Sequence, residues 1–171
     1  FTTLRQIADD FLADVEEYQF SERVGRLLSE LKAIVVTGGR GGVMEAVSKG
    51  VQEGGGLSIG ILPGDNQDDA NPYCDVVIPT GLGHARNTLT VMTADLVIVI
   101  GGQAGTLTEM GFSWIFHKPI LAVTRFGGWA AELAGKKIDQ RRQDPVIGIN
   151  DLEELKSEII RIAGSAGHPV Q

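Results

Sequence analysis

The chain reads as an α/β protein with a mostly parallel sheet, and three observations predict this. Short aliphatic runs at 33–37, 57–62, 96–100 and 119–123 are rich in β-branched residues and short enough to be buried parallel strands. Most of the segments between them carry apolar residues at helical spacing. Glycine-rich turns follow at Thr37, Pro79, Ile100 and Thr124. Right-handed crossovers put such turns together at one sheet edge, where α/β proteins bind ligands.

Composition bounds the reading. The 171 residues suffice for a single domain over 1–171 with a substantial core, and 43% hydrophobic with 22% charged residues is a globular balance. Glycine, at 23 residues, stands well above the usual share of about 7%. A net charge of −7, with no Lys/Arg cluster beyond Arg141-Arg142, speaks against a nucleic-acid partner. Cys74 is the single cysteine, so an intramolecular disulfide and a CxxC metal or redox site are excluded. No apolar run nears the ~20 residues of a membrane span, and no basic-then-apolar leader opens the sequence. The expectation is a soluble, cytoplasmic protein with no membrane partner.

In chain order, residues 1–14 are ambiguous: 4–8 could start a strand, but Asp9 and Asp10 interrupt it. From Glu16, Phe20, Val24, Leu27, Leu28 and Leu31 form one helical face. A strand at 33–37 leads through Gly38-Gly39-Arg40-Gly41-Gly42 into a helix over 43–53, closed by Gly54-Gly55-Gly56. After the strand 57–62, residues 63–72 read as a polar surface loop whose acids are solvated rather than metal-binding. A short edge strand at 75–78 ends at Pro79. Thr80-Gly81-Leu82-Gly83 then precedes a helix over 85–93, with His84 a surface or capping residue rather than a catalytic one. The run 96–100 reads as a central strand buried on both faces. Thr106 would cap the following helix (107–117), and Glu109 stands where a capping box places its acid. A strand at 119–123 and a helix at 129–134 follow, and of two readings of 136–144, a mobile flap or a solvated connection, the second is favoured. A last strand at 146–149 precedes a helix capped by Asn150 or Asp151 and running to 163, after which the chain frays.

Two stretches carry the chemistry. Four glycines around Arg40 exceed what a plain turn needs, which implies that something approaches that backbone closely. Gly101-Gly102-Gln103-Ala104-Gly105-Thr106 joins strand to helix, so free N–H groups and a positive helix end form an anion site. Arg86, at a helix start after a glycine turn, offers a planar fork of donors to a phosphate or carboxylate.

The wording GGRGGVMEAVSKG, GILPGD, PTGLGHARN and GGQAGTLTE resembles the Rossmann-like LOG superfamily, often misnamed lysine decarboxylases. That superfamily includes nucleoside monophosphate phosphoribohydrolases and molybdenum cofactor carrier proteins, and the likeness is strongest to the carrier-type branch. The resemblance implies a three-layer doubly wound Rossmann-like fold with a mostly parallel sheet, and a homo-oligomer, dimer or tetramer, packed through helices. It also implies a catalytic pair, Arg86 and Glu109, in any phosphoribohydrolase. A ligand phosphate would meet the loops 38–42 and 102–106 (Gly38, Gly39, Arg40, Gly41, Gly42, Gly102, Gln103, Gly105 and Thr106), with Thr80, Gly81, Gly83 and Asn87 beside them. Gly101 stands in place of the family's proline, Gln103 in place of its second glycine, Asn87 in place of a lysine and Glu45 in place of a glycine. Three readings result: a binding protein for a nucleoside monophosphate or molybdopterin-type ligand, a phosphoribohydrolase, or an interaction protein with a vestigial pocket. No metal site is expected.

Overall fold

A computed structural model describes residues 4–165, with side chains from residue 14 onward. In chain order the described residues form α1 (Leu4–Glu30), β1 (Ile34–Thr37), α2 (Val43–Glu53), β2 (Leu57–Leu62), β3 (Val76–Pro79) and α3 (Asn87–Thr93). These are followed by β4 (Val97–Ile100), α4 (Ala104–Ile115), β5 (Ile120–Val123), α5 (Gly128–Leu133), β6 (Ile147–Ile149) and α6 (Leu152–Ser165). Single 3₁₀ turns occupy Gln67–Asp69, Gly83–Arg86 and Thr124–Phe126.

The strands pair only in parallel, as two three-stranded sheets ordered β1-β2-β3 and β4-β5-β6. One hydrophobic cluster spans both. Val35 of β1 joins Ile100, Leu121, Val123 and Ile149 from the second sheet, under α1 (Phe20, Val24) and α6 (Leu155, Ile159). Alternate residues of the same strands face the other way. Val99, Ile120 and Ala122 pack with Met110 and Trp114 of α4 and Ala130 of α5, so the second sheet lies between two helical layers.

Several expectations change. α1 begins at Leu4 rather than near Glu16, and the apolar positions 4, 7, 8, 11, 12 and 15 do recur at helical spacing. β4 holds an outer place in its sheet and is buried only at Val99 and Ile100; β5, between β4 and β6, is buried at all four residues. An aliphatic run reports burial, not rank within a sheet. Residues 136–144 are not simply solvated. Arg142 is 8% exposed, pairs with Asp144, donates to the Lys118 carbonyl at 2.9 Å and lies over the Trp114 ring at 4.7 Å. The capping box occurs at α6 instead of α4: the Glu154 amide donates to Asp151 Oδ1 at 2.9 Å, and the Glu154 carboxylate accepts from the Asn150 amide at 2.8 Å. The triple glycine closes α2 with the Gly56 amide on the Val51 carbonyl and Gly55 at φ +73°. The fraying expected at the C-terminus falls on 166–171, outside the described residues, as do residues 1–3 of the ambiguous opening segment.

Candidate functional site

The carboxyl ends of the strands bring the first glycine loop, Arg86 and α4 together. Arg86 ends the 3₁₀ turn before α3 and is 8% exposed. Its guanidinium lies so close to Gly38 that a Cβ there would overlap both Nη atoms and crowd Met44 Sδ. Nη1 stands 3.8 Å from Glu109 Oε1, wider than a hydrogen bond, and reaches Thr90 Oγ1 at 3.5 Å. The buried Nε has no hydrogen-bond partner among the described residues. A buried donor left unspent is costly.

Electrostatics follow from this burial. Desolvation pulls the Arg86 guanidinium down from its ordinary value; Glu109 opposes the shift and Arg40 adds to it. Desolvation holds the Glu109 carboxyl above the usual carboxylate range, and Arg86 only partly offsets it. Arg40 itself is exposed and has no carboxylate partner among the described residues.

The glycines of the first loop divide by what surrounds them. Gly39, at φ +71°, lies against the backbone of Gly60, and Gly38 makes room for Arg86. No packing requires glycine at Gly41 or Gly42: nothing lies within 4 Å of a Cβ at Gly42, and a Cβ at Gly41 would meet only Glu45 Oε2, at 3.6 Å. Gly42 is needed only for its φ of +69°. Both loops end in uncapped helices. The first bond of α2 is the Ala46 amide on the Gly42 carbonyl, and that of α4 is the Leu107 amide on the Gln103 carbonyl. The amides of 104–106 therefore have no acceptor among the described residues. Thr106 is inside α4 and caps nothing; the N-cap is Gln103, and Glu109 turns to Arg86. The expected Thr106–Glu109 capping box is absent because the helix starts three residues earlier.

Other expected residues are placed differently. Thr80, Gly81 and Gly83 spend their amides on the carbonyls of Leu62, Gly64 and Pro63, so they hold the turn and offer no such donor to a ligand. Asn87 is 4% exposed and donates to Thr108 Oγ1 at 2.8 Å and to the Gly105 carbonyl at 3.3 Å, tying α3 to the second loop. Gln103 and Gly105 are exposed, and Gly102, at φ +95°, leaves space that Thr106 fills. His84 is exposed. Among the described residues no cluster of His, Cys, Asp and Glu is placed to hold a metal.

Sequence reasoning missed three contributors. Asn71, in the supposed surface loop, is 7% exposed; its amide and side chain donate to the carbonyls of Gly39 (2.8 Å) and Arg40 (3.1 Å), propping the first loop. Tyr18 of α1 donates to Glu45 Oε1 at 3.1 Å beside that loop. Glu17 sets its carboxylate against Gly101, where a Cβ would overlap it; burial, then Asp14, raises its pKa. The Asn71 signal was available, since Asn before Pro72 favours a turn, but its partner lay 31 residues away.

Comparison with known proteins gives a consistent set. A family model described as the SLOG cluster4 family matches residues 8–155. An uncharacterised protein of Archaeoglobus fulgidus is 42% identical over 100 residues, 58% of this chain and 66% of that protein, so the match spans just under two thirds of that relative. The X-ray structure of TM1055, a structural genomics target, is 34% identical with a TM-score of 0.82, covering 86% of this chain and 89% of that one. The molybdenum cofactor carrier protein of Chlamydomonas reinhardtii is 25% identical with a TM-score of 0.76, covering 87% of this chain and 89% of that one.

Proposed function

The chain belongs to the SLOG cluster4 family, and on that premise we propose that it binds a small phosphate-bearing ligand, a nucleoside monophosphate or a molybdopterin-type cofactor, at the loops 38–42 and 101–106. The observation that carries this is Arg86, buried between Gly38 of the first loop and Glu109 of α4 with its Nε unspent. Two uncapped helix starts bring further free amides to the same region. The likeness to a molybdenum cofactor carrier supports a cofactor-type ligand. Arg86, the free amides and Arg40 suit the phosphate of either ligand; a molybdopterin-type group would supply metal chemistry only as cargo.

Calorimetry with nucleoside monophosphates and a molybdopterin-type ligand tests the reading. Saturable binding that is lost in Arg86→Ala and weakened in Arg40→Ala supports it; absence of binding to any of them overturns it.

A second reading, phosphoribohydrolase, draws on the Arg86–Glu109 pair. N-glycosidic cleavage builds positive charge on the ribose ring, which a carboxylate beside it stabilises. Incubation with AMP should then release ribose 5-phosphate, and Glu109→Gln should stop it. A second copy of the chain is part of the proposal. Leu89 and Met92 of α3 and Ile115 and Phe116 at the end of α4 are exposed, an apolar surface suited to helix packing between copies, and sedimentation reads the outcome.

A further inference from the structure

Beside the second glycine loop lies an open cleft of about 430 Å³. Gly102, Gln103 and Ala104 form one wall; Gly127, Trp129 and Glu132 are on the other. Trp129 is 36% exposed although its backbone is anchored: its amide donates to the Gly102 carbonyl at 3.2 Å, and the Ala130 amide donates to the Gly101 carbonyl at 3.1 Å. Among the described residues no other ring or guanidinium stacks on the Trp129 ring. Nothing lies within 4 Å of where a Gly127 Cβ would be, so the cleft is bare there. Glu132 is exposed at the cleft, with Lys136 3.5 Å away.

The cleft is continuous with the proposed anion site. Ala104 lines it and begins α4, whose first three amides are free. Farther along the same helix Glu109 meets Arg86.

We propose that the cleft receives the planar amino-substituted ring of the ligand, stacked on Trp129 with its amino edge toward Glu132, while the phosphate lies at the first turn of α4 toward Arg86. This rests on the anion-binding reading above. Purine nucleotides and phosphorylated pterins share this chemistry. Aromatic stacking tolerates either ring, since every heterocycle has a π-face.

Titrations with AMP, a pterin bearing a phosphate group and ribose 5-phosphate test it, in wild type, Trp129→Ala and Trp129→Phe. Trp114 is 1% exposed and donates to Asp139 at 2.8 Å, so ligand-dependent emission changes report Trp129. At least one ring-bearing ligand should quench that emission and bind about tenfold tighter than ribose 5-phosphate, a difference of about 1.4 kcal/mol. Trp129→Ala should remove that advantage while ribose 5-phosphate still binds, and Trp129→Phe should restore most of it. The tighter of AMP and the pterin names the source. Equal affinity for all three ligands, or loss of ribose 5-phosphate binding in Trp129→Ala, overturns the stacking role and leaves the anion site standing. Failure of all three and of inorganic phosphate to bind wild type overturns both.

Discussion

Gly38 and Arg86 act as one unit. A methyl group at Gly38 would strike the end of a flexible arginine and a flexible methionine, both of which can move. Gly38→Ala should therefore leave the melting temperature nearly unchanged yet displace the fork. The affinity for a phosphate ligand should fall about tenfold or more, the scale of a lost charge-assisted hydrogen bond, read by calorimetry. Glu109 gives a second outcome with a definite sign. Its carboxyl titrates above the usual range because it is desolvated, so acidification neutralises it sooner than an exposed glutamate. A neutral Glu109 does not repel an anion, so phosphate-ligand affinity should rise as pH falls through that raised value. Glu109→Gln should bind about fivefold tighter at neutral pH, the effect of about 1 kcal/mol of relieved repulsion, and should lose that pH dependence. Measuring both proteins over the same range cancels the ligand's own titration. Cleavage would have the opposite slope, since a stabilising carboxylate must be ionised.

Between helices, the tightest approach is that of α1 and α2. A Cβ at Gly50 would overlap the Glu22 carbonyl, and one at Gly25 would overlap the Val47 carbonyl. These are backbone atoms and cannot swing aside. Salt bridges from Lys49 to Glu22 at 2.8 Å and from Arg26 to Glu53 at 2.6 Å lie along the same crossing, where burial is partial and each contributes little. Gly50→Ala should destabilise the protein by about 1–3 kcal/mol, because overpacking outweighs the helix-propensity gain. Gly111→Ala in α4, with nothing within 4 Å of the new methyl, should instead stabilise it by about 0.5–1 kcal/mol. The two urea midpoints, moving in opposite directions, check the assignment. Both glycines look alike in the sequence, as interior helix residues; only the neighbouring helix separates them.

At the scale of the molecule, the two sheets share one hydrophobic cluster, and the expected outcome is a single cooperative unfolding transition. Val35 on one side and Leu155 on the other belong to the same cluster, and Leu155 is fully buried. Leu155→Ala should cost about 2–5 kcal/mol, and helix and tryptophan signals should lose structure at one shared midpoint. Two separate midpoints would show that the sheets unfold independently. From Glu16 onward the sequence by itself determined the element types, the parallel class and the four glycine turns, because aliphatic runs, helical spacing and glycine are local signals read without a neighbour. It also marked Arg86 and Glu109 as chemically notable. What only the tertiary structure decided depends on distant chain segments. The contact of Gly38 with Arg86 spans 48 positions, and Asn71 reaches the first loop from 31 residues away. The turn at Thr80 spends its donors on 62–64. β5 rather than β4 lies in the middle of its sheet. Each of these is a pairing between groups whose sequence neighbours carry no trace of the partner, so no local pattern could encode it.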